Sequence, residues 1–482
     1  MEIPQNDQQD SHRNLDRARQ LVELGENVEA LKVLGDVLNT NFDDPAAIYL
    51  AAMTFFKTGR YGLAYNLFKR SAQLDPSKPF PWNGQGICYE QTWQLDEAER
   101  CFKEAIKRDP TNHAPLENMA LVEINRCRPD EALKWCAALE KIGHQSDEAT
   151  DNKAMALLMK RDWSGWELYR QGTGRTKQRP IRAYNDPEEP MWRGEPGTVV
   201  VYSNQGLGDE IAFASCVPDA SKKASIILDC DGRMEGLFRR SFPGVRVYGT
   251  RFKDSRDWDH LVDYSLPIDC LPSLFRLKDE DFPGTPYLVA DPERRLQWRS
   301  LFDSYKTTGK KPVIGIAWTG GIQHTGARKR SLSLEELLPL FRSVDATWVS
   351  LEYRDRRQQI EEFRLETGIE IKDFPRVVHA LDYDETAAMV AEVDLVLSVC
   401  TAVVHLAGAL GKECWCLAPN RPRWWYGLEG DLPWYKSVRM FRQAKEWPLD
   451  EITKKLRLKY GDIDVHTATD RLRELASPQR SG

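Results

Sequence analysis

The segment from Ser398 to Gly411, near the C-terminal end of the chain, has the residue types of a phosphate-binding turn. Its apolar start predicts a buried parallel strand, Thr401 predicts the cap of the helix that follows, and Gly411 predicts the end of that helix. The free backbone N–H groups and the dipole of a helix N-terminus attract anions. His405 follows the cap by about one helical turn and can face the same anion.

A Gly-rich turn that follows an earlier apolar run contains Gly206, Gly208, Asp209 and Glu210. A strand followed by Gly-x-Gly is typical of a dinucleotide site. Here Ile211 replaces the third glycine, and two carboxylates at the helix N-terminus would repel a pyrophosphate. Two interpretations of Asp209 therefore stay open: it is a partner of the helix N-terminus, or it is a general base that faces a cleft.

A second Gly-rich turn is followed by three consecutive cationic residues. Gly320 and Gly321 allow the backbone to approach a ligand closely, and Arg328, Lys329 and Arg330 come shortly after them. A basic triplet is usually a solvated loop, but its position after a Gly-rich turn favours anion binding. Because the forked guanidinium of arginine suits the oxygens of a diphosphate, this segment predicts a further contact to the same ligand.

Together these segments resemble bacterial glycosyltransferases of the heptosyltransferase type (glycosyltransferase family 9), in the branch that is fused to tetratricopeptide repeats. The resemblance covers roughly residues 190 to 445. It implies the GT-B fold, in which two Rossmann-like domains enclose a cleft. It also implies transfer of a sugar from a nucleotide-diphosphate sugar, with inversion at the anomeric carbon and with neither a metal nor a separate cofactor.

The resemblance implies roles for individual residues as well. It makes Asp209 the catalytic base and assigns Gly206, Gly208 and Glu210 to the acceptor-side loop. The family usually has Asp where this chain has Cys400, which leaves open a different donor, a dispensable contact or a loss of catalysis. The implied donor-binding residues are Trp318, Thr319, Gly320, Arg328, Lys329, Arg330, Glu352, Thr401 and His405.

Two short patterns offer metal ligands as an alternative. Asp229 and Asp231 have the Asp-x-Asp spacing of a Mg²⁺ or Mn²⁺ site, and Cys414 and Cys416 share one face of a predicted strand. The Asp pair lies away from the predicted diphosphate site, and no His or Cys in the neighbouring sequence completes a cysteine site. We therefore predict no metal site.

The front third of the chain repeats itself with a period of about 34 residues. This self-similarity predicts a tetratricopeptide-repeat solenoid, whose concave face usually binds a peptide or a neighbouring domain. The alternative is a brace or a dimer surface. The clearest copy runs from Pro79 to Asn112 and carries Trp82, Gly86, Tyr89, Ala98, Phe102, Ala105 and Pro110.

After the repeats, short apolar runs alternate with helical stretches, which predicts parallel sheets with crossover helices. The fold class is therefore α plus α/β, an N-terminal solenoid followed by two Rossmann-like parallel-sheet domains. The predicted strands are 198–203, 225–230, 245–250, 260–266, 313–318, 347–352, 369–374, 395–399, 414–417 and 438–441. The predicted regions are the repeats (11–180), a linker (181–197), the acceptor-side domain (198–306), the donor domain (312–445) and a helical tail (446–482).

Composition limits which partners and which cellular compartment can be expected. Hydrophobic residues make up 41% and charged residues 29%, as in a soluble globular protein, and the net charge of −6 does not favour nucleic acid or an anionic membrane. The polar N-terminus predicts no signal peptide, and the most apolar window is interrupted by charges, so we expect no transmembrane segment. The ten cysteines show no CxxC pair, which predicts reduced thiols and a cytoplasmic protein.

These patterns predict an enzyme, a glycosyltransferase whose partners are a nucleotide sugar and a protein or glycan acceptor held by the repeats. The leading alternative is a non-catalytic tetratricopeptide-repeat scaffold with a degenerate glycosyltransferase domain. An NAD-dependent oxidoreductase is disfavoured by the missing glycine, and a nucleotide-sugar epimerase shares the fold but seldom carries repeats. The donor sugar and the acceptor stay open.

Overall fold

The computed structural model describes residues 5–174, 181–185, 188–253, 258, 261–305, 311–321, 329–378 and 382–461, except for the side chains of residues 5–12, 376 and 378. The chain divides into two compact units, Met1–Lys160 and Arg161–Gly482. This division comes before the boundary at residue 180 that the sequence predicts for the helical region.

The first unit is a tetratricopeptide-repeat solenoid in which consecutive helices pack in pairs. Its helices are α1 (Gln5–Leu24), α2 (Asn27–Thr40), α3 (Pro45–Lys57), α4 (Tyr61–Leu74), α5 (Pro79–Gln91), α6 (Leu95–Arg108), α7 (His113–Asn125), α8 (Pro129–Lys141) and α9 (Asp147–Met159). Proline at the first position of α3, α5 and α8 suits a helix start, because that residue has no intrahelical acceptor for an N–H group.

The pair α5 and α6 shows why the repeat pattern demands small residues. Ala98, Phe102 and Ala105 of α6 are fully buried. Gly86 of α5 lies against the ring of Phe102, and a methyl group added at Gly86 would come within 2.3 Å of the Phe102 Cε1 atom. Close crossing of the two helices therefore depends on the absence of a side chain at this position.

We expect Gly86→Ala to destabilise the first unit although alanine is the better helix former. Forcing atoms into a packed core costs typically about 1–3 kcal/mol, against a propensity gain of about 1 kcal/mol. Gly35→Ala in α2 is the matched control, because a methyl group there meets nothing within 4 Å and should stabilise by about 0.5–1 kcal/mol. Calorimetric unfolding of the full chain measures both, and equal stability of the two variants would contradict the packing argument.

The second unit contains two parallel sheets. The strands are β1 (Thr198–Tyr202), β2 (Ser225–Asp229), β3 (Arg246–Tyr248), β4 (Tyr264–Pro267), β5 (Val313–Ala317), β6 (Thr347–Ser350), β7 (Ile371–Lys372), β8 (Leu395–Val399), β9 (Cys414–Ala418) and β10 (Val438–Arg442). The strand orders are β3-β2-β1-β4 and β10-β9-β8-β5-β6-β7, and all the pairings are parallel. The parallel α/β architecture predicted from the sequence is confirmed.

Helices of the second unit connect these strands and flank them. They are α10 (Gly165–Gln171), α11 (Leu207–Ala214), α12 (Val217–Ala220), α13 (Glu235–Ser241), α14 (Pro272–Phe275), α15 (Pro292–Tyr305), α16 (Leu338–Phe341), α17 (Arg357–Thr367), α18 (Pro375–Val378), α19 (Tyr383–Glu392), α20 (Ala402–Ala409) and α21 (Leu449–Tyr460). The predicted helical tail is described only through α21, and residues 462–482 lie outside the described part. In the described ranges no helix is both long and apolar enough to cross a membrane.

Two points in the strand order are of the kind at which open α/β sheets commonly bind ligands. β1 has β2 on one side and β4 on the other, and β5 lies between β6 and β8. Chain connections leave in opposite directions at such a point, so the loops beyond the carboxyl ends of the strands leave a crevice there. The turns after β1, β5 and β8 are the three segments that the sequence selects for chemistry.

Candidate active site

Helices α11 and α20 bring two of these turns together. α11 follows β1, α20 follows β8, and the two helices pack against each other. Gly208 makes the approach possible, because a methyl group added there would lie 3.1 Å from His405 Cδ2 and 3.2 Å from the Ala402 Cα atom. The N-terminal turns of both helices therefore contribute to one site.

Asp209 lies at the start of α11 with its side chain partly exposed. Its Oδ2 atom accepts a hydrogen bond from the Gly206 backbone N–H at 3.1 Å, so it acts as a partner of the helix N-terminus. Burial raises the pKa of Asp209 to about 6, although the positive charges of Arg423 and Arg330 and the hydrogen bond from Gly206 lower it. A carboxyl group that titrates near neutral pH is suited to general base catalysis.

Arg330 links the basic segment to the turn after β8. One terminal nitrogen of its guanidinium donates to the Cys400 carbonyl oxygen at 2.6 Å, while its Nε atom is buried without a hydrogen-bond partner among the described residues. The Cys400 side chain is fully buried, and its sulfur lies 3.7 Å from the sulfur of Cys416. Arg330 is therefore held by the backbone of residue 400, and this contact does not require the aspartate that the family usually has.

His405 is buried and neutral. Its Nε2 atom lies 2.9 Å from the Tyr426 hydroxyl oxygen, and its ring stacks on Trp425 with centroids 4.4 Å apart. Burial, with a further contribution from the charge of Arg330, lowers the pKa of His405 to about 3. His405 thus supplies no positive charge to an anion, and the Nδ1 atom has no partner within the described part of the chain. A direct hydrogen bond from His405 to a donor stays a prediction.

Thr401 occupies the position before α20, as the sequence predicts, but its side chain does not cap the helix. Its hydroxyl oxygen lies 3.1 Å from the Ser398 hydroxyl oxygen instead. Gly411 has a φ of +74° just beyond the C-terminal end of α20, a conformation that favours glycine.

Glu352 and Trp318 position the loop after β5. The Glu352 carboxylate accepts hydrogen bonds from the backbone N–H groups of Trp318 at 2.7 Å and Thr319 at 2.8 Å, and also from the Thr319 hydroxyl. The Trp318 side chain is buried in the hydrophobic core beside the second sheet. The geometry favours a supporting role for both side chains, and their contact with a bound nucleotide stays a prediction.

Glu210 belongs to the interior of the first sheet region. Its side chain is fully buried, its Oε1 atom accepts from the Asp231 backbone N–H at 3.0 Å, and its Oε2 atom lies 3.4 Å from a terminal nitrogen of Arg251. Burial raises the pKa of Glu210 to about 7. These contacts give Glu210 a structural role, although the sequence assigns it to the acceptor-side loop.

The Asp-x-Asp pattern is engaged by protein groups. Asp229 accepts hydrogen bonds from the Tyr184 hydroxyl at 2.6 Å and the Thr250 hydroxyl at 2.7 Å, and it pairs with Arg182 at 2.7 Å. Asp231 pairs with Arg233 at 2.8 Å. The charges of both carboxylates are therefore balanced by hydrogen bonds and ion pairs within the protein.

The Gly-rich turn after β5 and the basic segment contact each other. Lys329 is exposed, and Arg328 lies outside the described residues. Gly320 is tightly enclosed, since a methyl group there would come within 2.7 Å of the Arg330 carbonyl oxygen. The Gly320 N–H group donates to the Ser331 hydroxyl at 3.0 Å, which ties this turn to the basic segment.

Sequence reasoning missed Arg423 as a site residue and assigned the neighbouring aromatic residues mainly to packing. Arg423 lies in the loop after β9 and has the largest charge effect on Asp209. Arg442 holds this loop by donating to the Tyr426 carbonyl oxygen at 2.9 Å and the Gly427 carbonyl oxygen at 3.0 Å. The available signal was the position of Arg423 shortly after the predicted strand 414–417, because the carboxyl ends of parallel strands lie at one edge of a sheet.

Comparison with known proteins supports the repeats most directly. A tetratricopeptide-repeat profile matches residues 79–112, which confirms the predicted copy. Protein FlbA of Caulobacter vibrioides is 27% identical over 428 residues, 83% of this chain and 70% of that protein, so the similarity extends into both units.

Two further matches cover less of the chain. The CTR9 homolog of Arabidopsis thaliana is 30% identical over 105 residues, 22% of this chain and 10% of that protein. The structure of PilF from Pseudomonas aeruginosa covers 36% of this chain and 80% of its own, with 17% identity and a TM-score of 0.33.

Proposed function

We propose that the protein is a glycosyltransferase that moves a sugar from a nucleotide-diphosphate sugar to a hydroxyl group of a protein or glycan. The two parallel sheets would then be the Rossmann-like halves of a GT-B enzyme, with the acceptor side built on β1 and the donor side on β5 and β8. The reaction would invert the anomeric carbon and need no metal.

One observation carries this proposal. A carboxylate with a pKa near 6, Asp209, lies within electrostatic reach of two guanidinium groups, Arg423 and Arg330, where helices α11 and α20 begin. General base catalysis needs the first group, and a departing diphosphate needs the other two. Arg330 Nε and His405 Nδ1 are buried polar atoms without a partner among the described residues, and a bound ligand would satisfy them.

The residues divide the reaction between them. Asp209 takes the proton of the acceptor hydroxyl as that oxygen bonds to the anomeric carbon. The bond from the anomeric carbon to the diphosphate oxygen breaks on the opposite face, and the leaving diphosphate carries away the bonding electrons. Arg330, Arg423 and the N-terminus of α20 stabilise that charge.

A scaffold without catalysis is the second candidate, and Cys400 favours it because the family usually has Asp there. An assay of nucleotide-sugar turnover distinguishes the enzyme from the scaffold. Each member of a panel of nucleotide sugars is incubated with the full chain, and released nucleotide diphosphate is measured with and without acceptor. Turnover of one donor supports the enzyme. Thermal stabilisation by a nucleotide without any turnover supports the scaffold.

The repeats are proposed to hold the acceptor. We expect a shortened protein that begins at Arg161 to bind nucleotide normally and to transfer sugar to its protein or glycan acceptor roughly 10²-fold more slowly, because tethering raises the local acceptor concentration. The start at Arg161 retains α10, whose Trp166 and Tyr169 pack with Trp424 in the second unit.

Steady-state transfer kinetics measure this effect, with donor hydrolysis in water as the control that should not change. If the shortened protein transfers sugar to the native acceptor at the full rate, the repeats act as a brace or an oligomerisation surface instead.

A further inference from the structure

Two histidines and a glutamate converge on the surface of the solenoid. His113 and Glu117 lie on α7, and His144 lies in the turn between α8 and α9. One ligand atom from each of the three side chains lies within 4.8 Å of the other two. The side chain of His113 is 51% exposed, that of His144 is 24% exposed and that of Glu117 is 15% exposed, so the cluster can be reached from solvent.

The distances between these atoms lie on both sides of the separation expected for two ligands of one ion, so small side-chain shifts separate this arrangement from a coordinated one. His144 Nε2 lies 3.0 Å from Glu117 Oε1, and His113 Nδ1 lies 3.6 Å from Glu117 Oε2. Two atoms bound to one tetrahedral zinc ion at about 2.0–2.2 Å are roughly 3.3–3.5 Å apart. The imidazole rings are stacked with centroids 3.8 Å apart and planes 9° apart, so their nitrogen lone pairs lie in nearly parallel planes, and the exposed His113 ring must turn before both rings can reach one ion.

Groups around the cluster hold its ligands in place. The Ser146 hydroxyl donates to Glu117 Oε1, and the same hydroxyl accepts from the Ala149 N–H group at 3.0 Å at the start of α9. The Asn152 side-chain amide donates to the Glu117 carbonyl oxygen at 3.2 Å. The bond from Ser146 fixes the orientation of the carboxylate, and the bond from Asn152 fixes the Glu117 backbone; contacts of the first kind often decide metal affinity.

We propose that His113, Glu117 and His144 bind a zinc ion on the solenoid. Imidazole nitrogen and carboxylate oxygen are ligands of zinc, and three protein ligands leave a fourth position for water or for a group of a bound partner. Because the ligands come from α7 and from the turn that leads into α9, the ion would connect two successive repeats. This site is independent of the proposed glycosyl transfer.

The test is zinc titration of the full-length protein, expressed without a histidine tag and treated with a chelator beforehand. We expect one saturable Zn²⁺ site per chain by calorimetry, together with an increase of Tm. His113→Ala, His144→Ala and Glu117→Gln should each weaken binding by at least about tenfold. His12→Ala is the matched control, because it removes a histidine of α1 and should leave the affinity unchanged.

Cobalt substitution distinguishes this site from the ten cysteines of the chain. Co²⁺ bound by His and Glu gives visible absorption bands without the near-ultraviolet bands of thiolate ligation, and those bands should disappear in His113→Ala, whose exposed side chain can be removed without unfolding. The proposal is overturned if the wild-type protein shows no saturable site, or if the three variants bind Zn²⁺ as tightly as the wild type does.

Discussion

Asp209→Asn should lower kcat by about 10²–10⁴-fold while nucleotide affinity stays close to that of the wild type. Asparagine keeps the size of the side chain, and its amide oxygen can still accept the hydrogen bond from the Gly206 backbone N–H. What it loses is the ability to take a proton from the acceptor hydroxyl. The effect should therefore appear in the chemical step and not in the binding of the donor. Steady-state kinetics and calorimetry with a nucleotide diphosphate measure the two separately.

The pH dependence of the wild-type enzyme gives a second readout of the same group. Asp209 must be unprotonated to act as the base, and its pKa is raised to about 6. We therefore expect kcat/KM to be low at pH values below about 6 and to rise to a plateau above that pH. Asp209→Asn should remove this step.

Asp382→Asn is the matched control for Asp209→Asn. Asp382 also caps a helix of the second unit, accepting from the Asp384 N–H group at 2.8 Å, and asparagine caps helices equally well, so kcat should not change. A wild-type kcat in Asp209→Asn would reduce Asp209 to a helix cap. Glu210, whose pKa is raised to about 7, would then be the next carboxyl group to test.

The strands of the second unit could be predicted because a buried parallel strand is a short run of mostly apolar residues. Strand β8 is buried along its whole length, which explains why Leu395–Val399 is apolar except for Ser398. The edge strand β7 is shorter than the predicted segment 369–374, since only Ile371 and Lys372 pair with β6. An edge position depends on the order of strands in space, which the sequence of one strand does not contain.

Helical periodicity does not show which of the two units contains α10. The sequence assigns residues up to 180 to the repeats because the apolar spacing continues. In the structure, Trp166 packs against Phe213 of α11 and against Trp434, so this helix belongs to the second unit. Periodicity reveals which face of a helix is buried, whereas the partner of that face is decided by residues distant in sequence.

In the candidate site, too, features set by neighbouring residues were predictable, and features set by residues distant in sequence were not. The end of α20 was predictable because the positive φ of Gly411 is a property of its own backbone, whereas the predicted cap by the Thr401 side chain does not form. The state of His405 was not predictable, since burial and the charge of Arg330 together make the ring neutral. The contribution of Arg423 to the electrostatics of Asp209 likewise depends on tertiary structure, because Arg423 follows β9 of the six-stranded sheet and Asp209 follows β1 of the four-stranded sheet.

Arg330→Ala should weaken the binding of a nucleotide diphosphate by roughly 1.5–3 kcal/mol, or about 10- to 150-fold in Kd, as expected for the loss of a charged hydrogen bond. Arg330 is anchored at the Cys400 carbonyl oxygen, and its Nε atom has no partner in the part of the chain that the structure describes. Its guanidinium can therefore hold a phosphate oxygen while it keeps its position beside α20. Calorimetry with the nucleotide diphosphate alone measures this loss without any need for turnover.

Arg330→Lys and Arg364→Ala separate the local effect from a general loss of charge. Lysine restores the positive charge but not the forked guanidinium. The nucleotide affinity of Arg330→Lys should therefore lie between those of the wild type and Arg330→Ala. Arg364 pairs with Glu361 on the surface of α17, and its loss should leave nucleotide binding unchanged. Because the charge of Arg330 lowers the pKa of Asp209, Arg330→Ala should also move the pH–rate profile to higher pH. Unchanged nucleotide affinity together with an unshifted profile would mean that Arg330 supports the loop and that the diphosphate binds elsewhere.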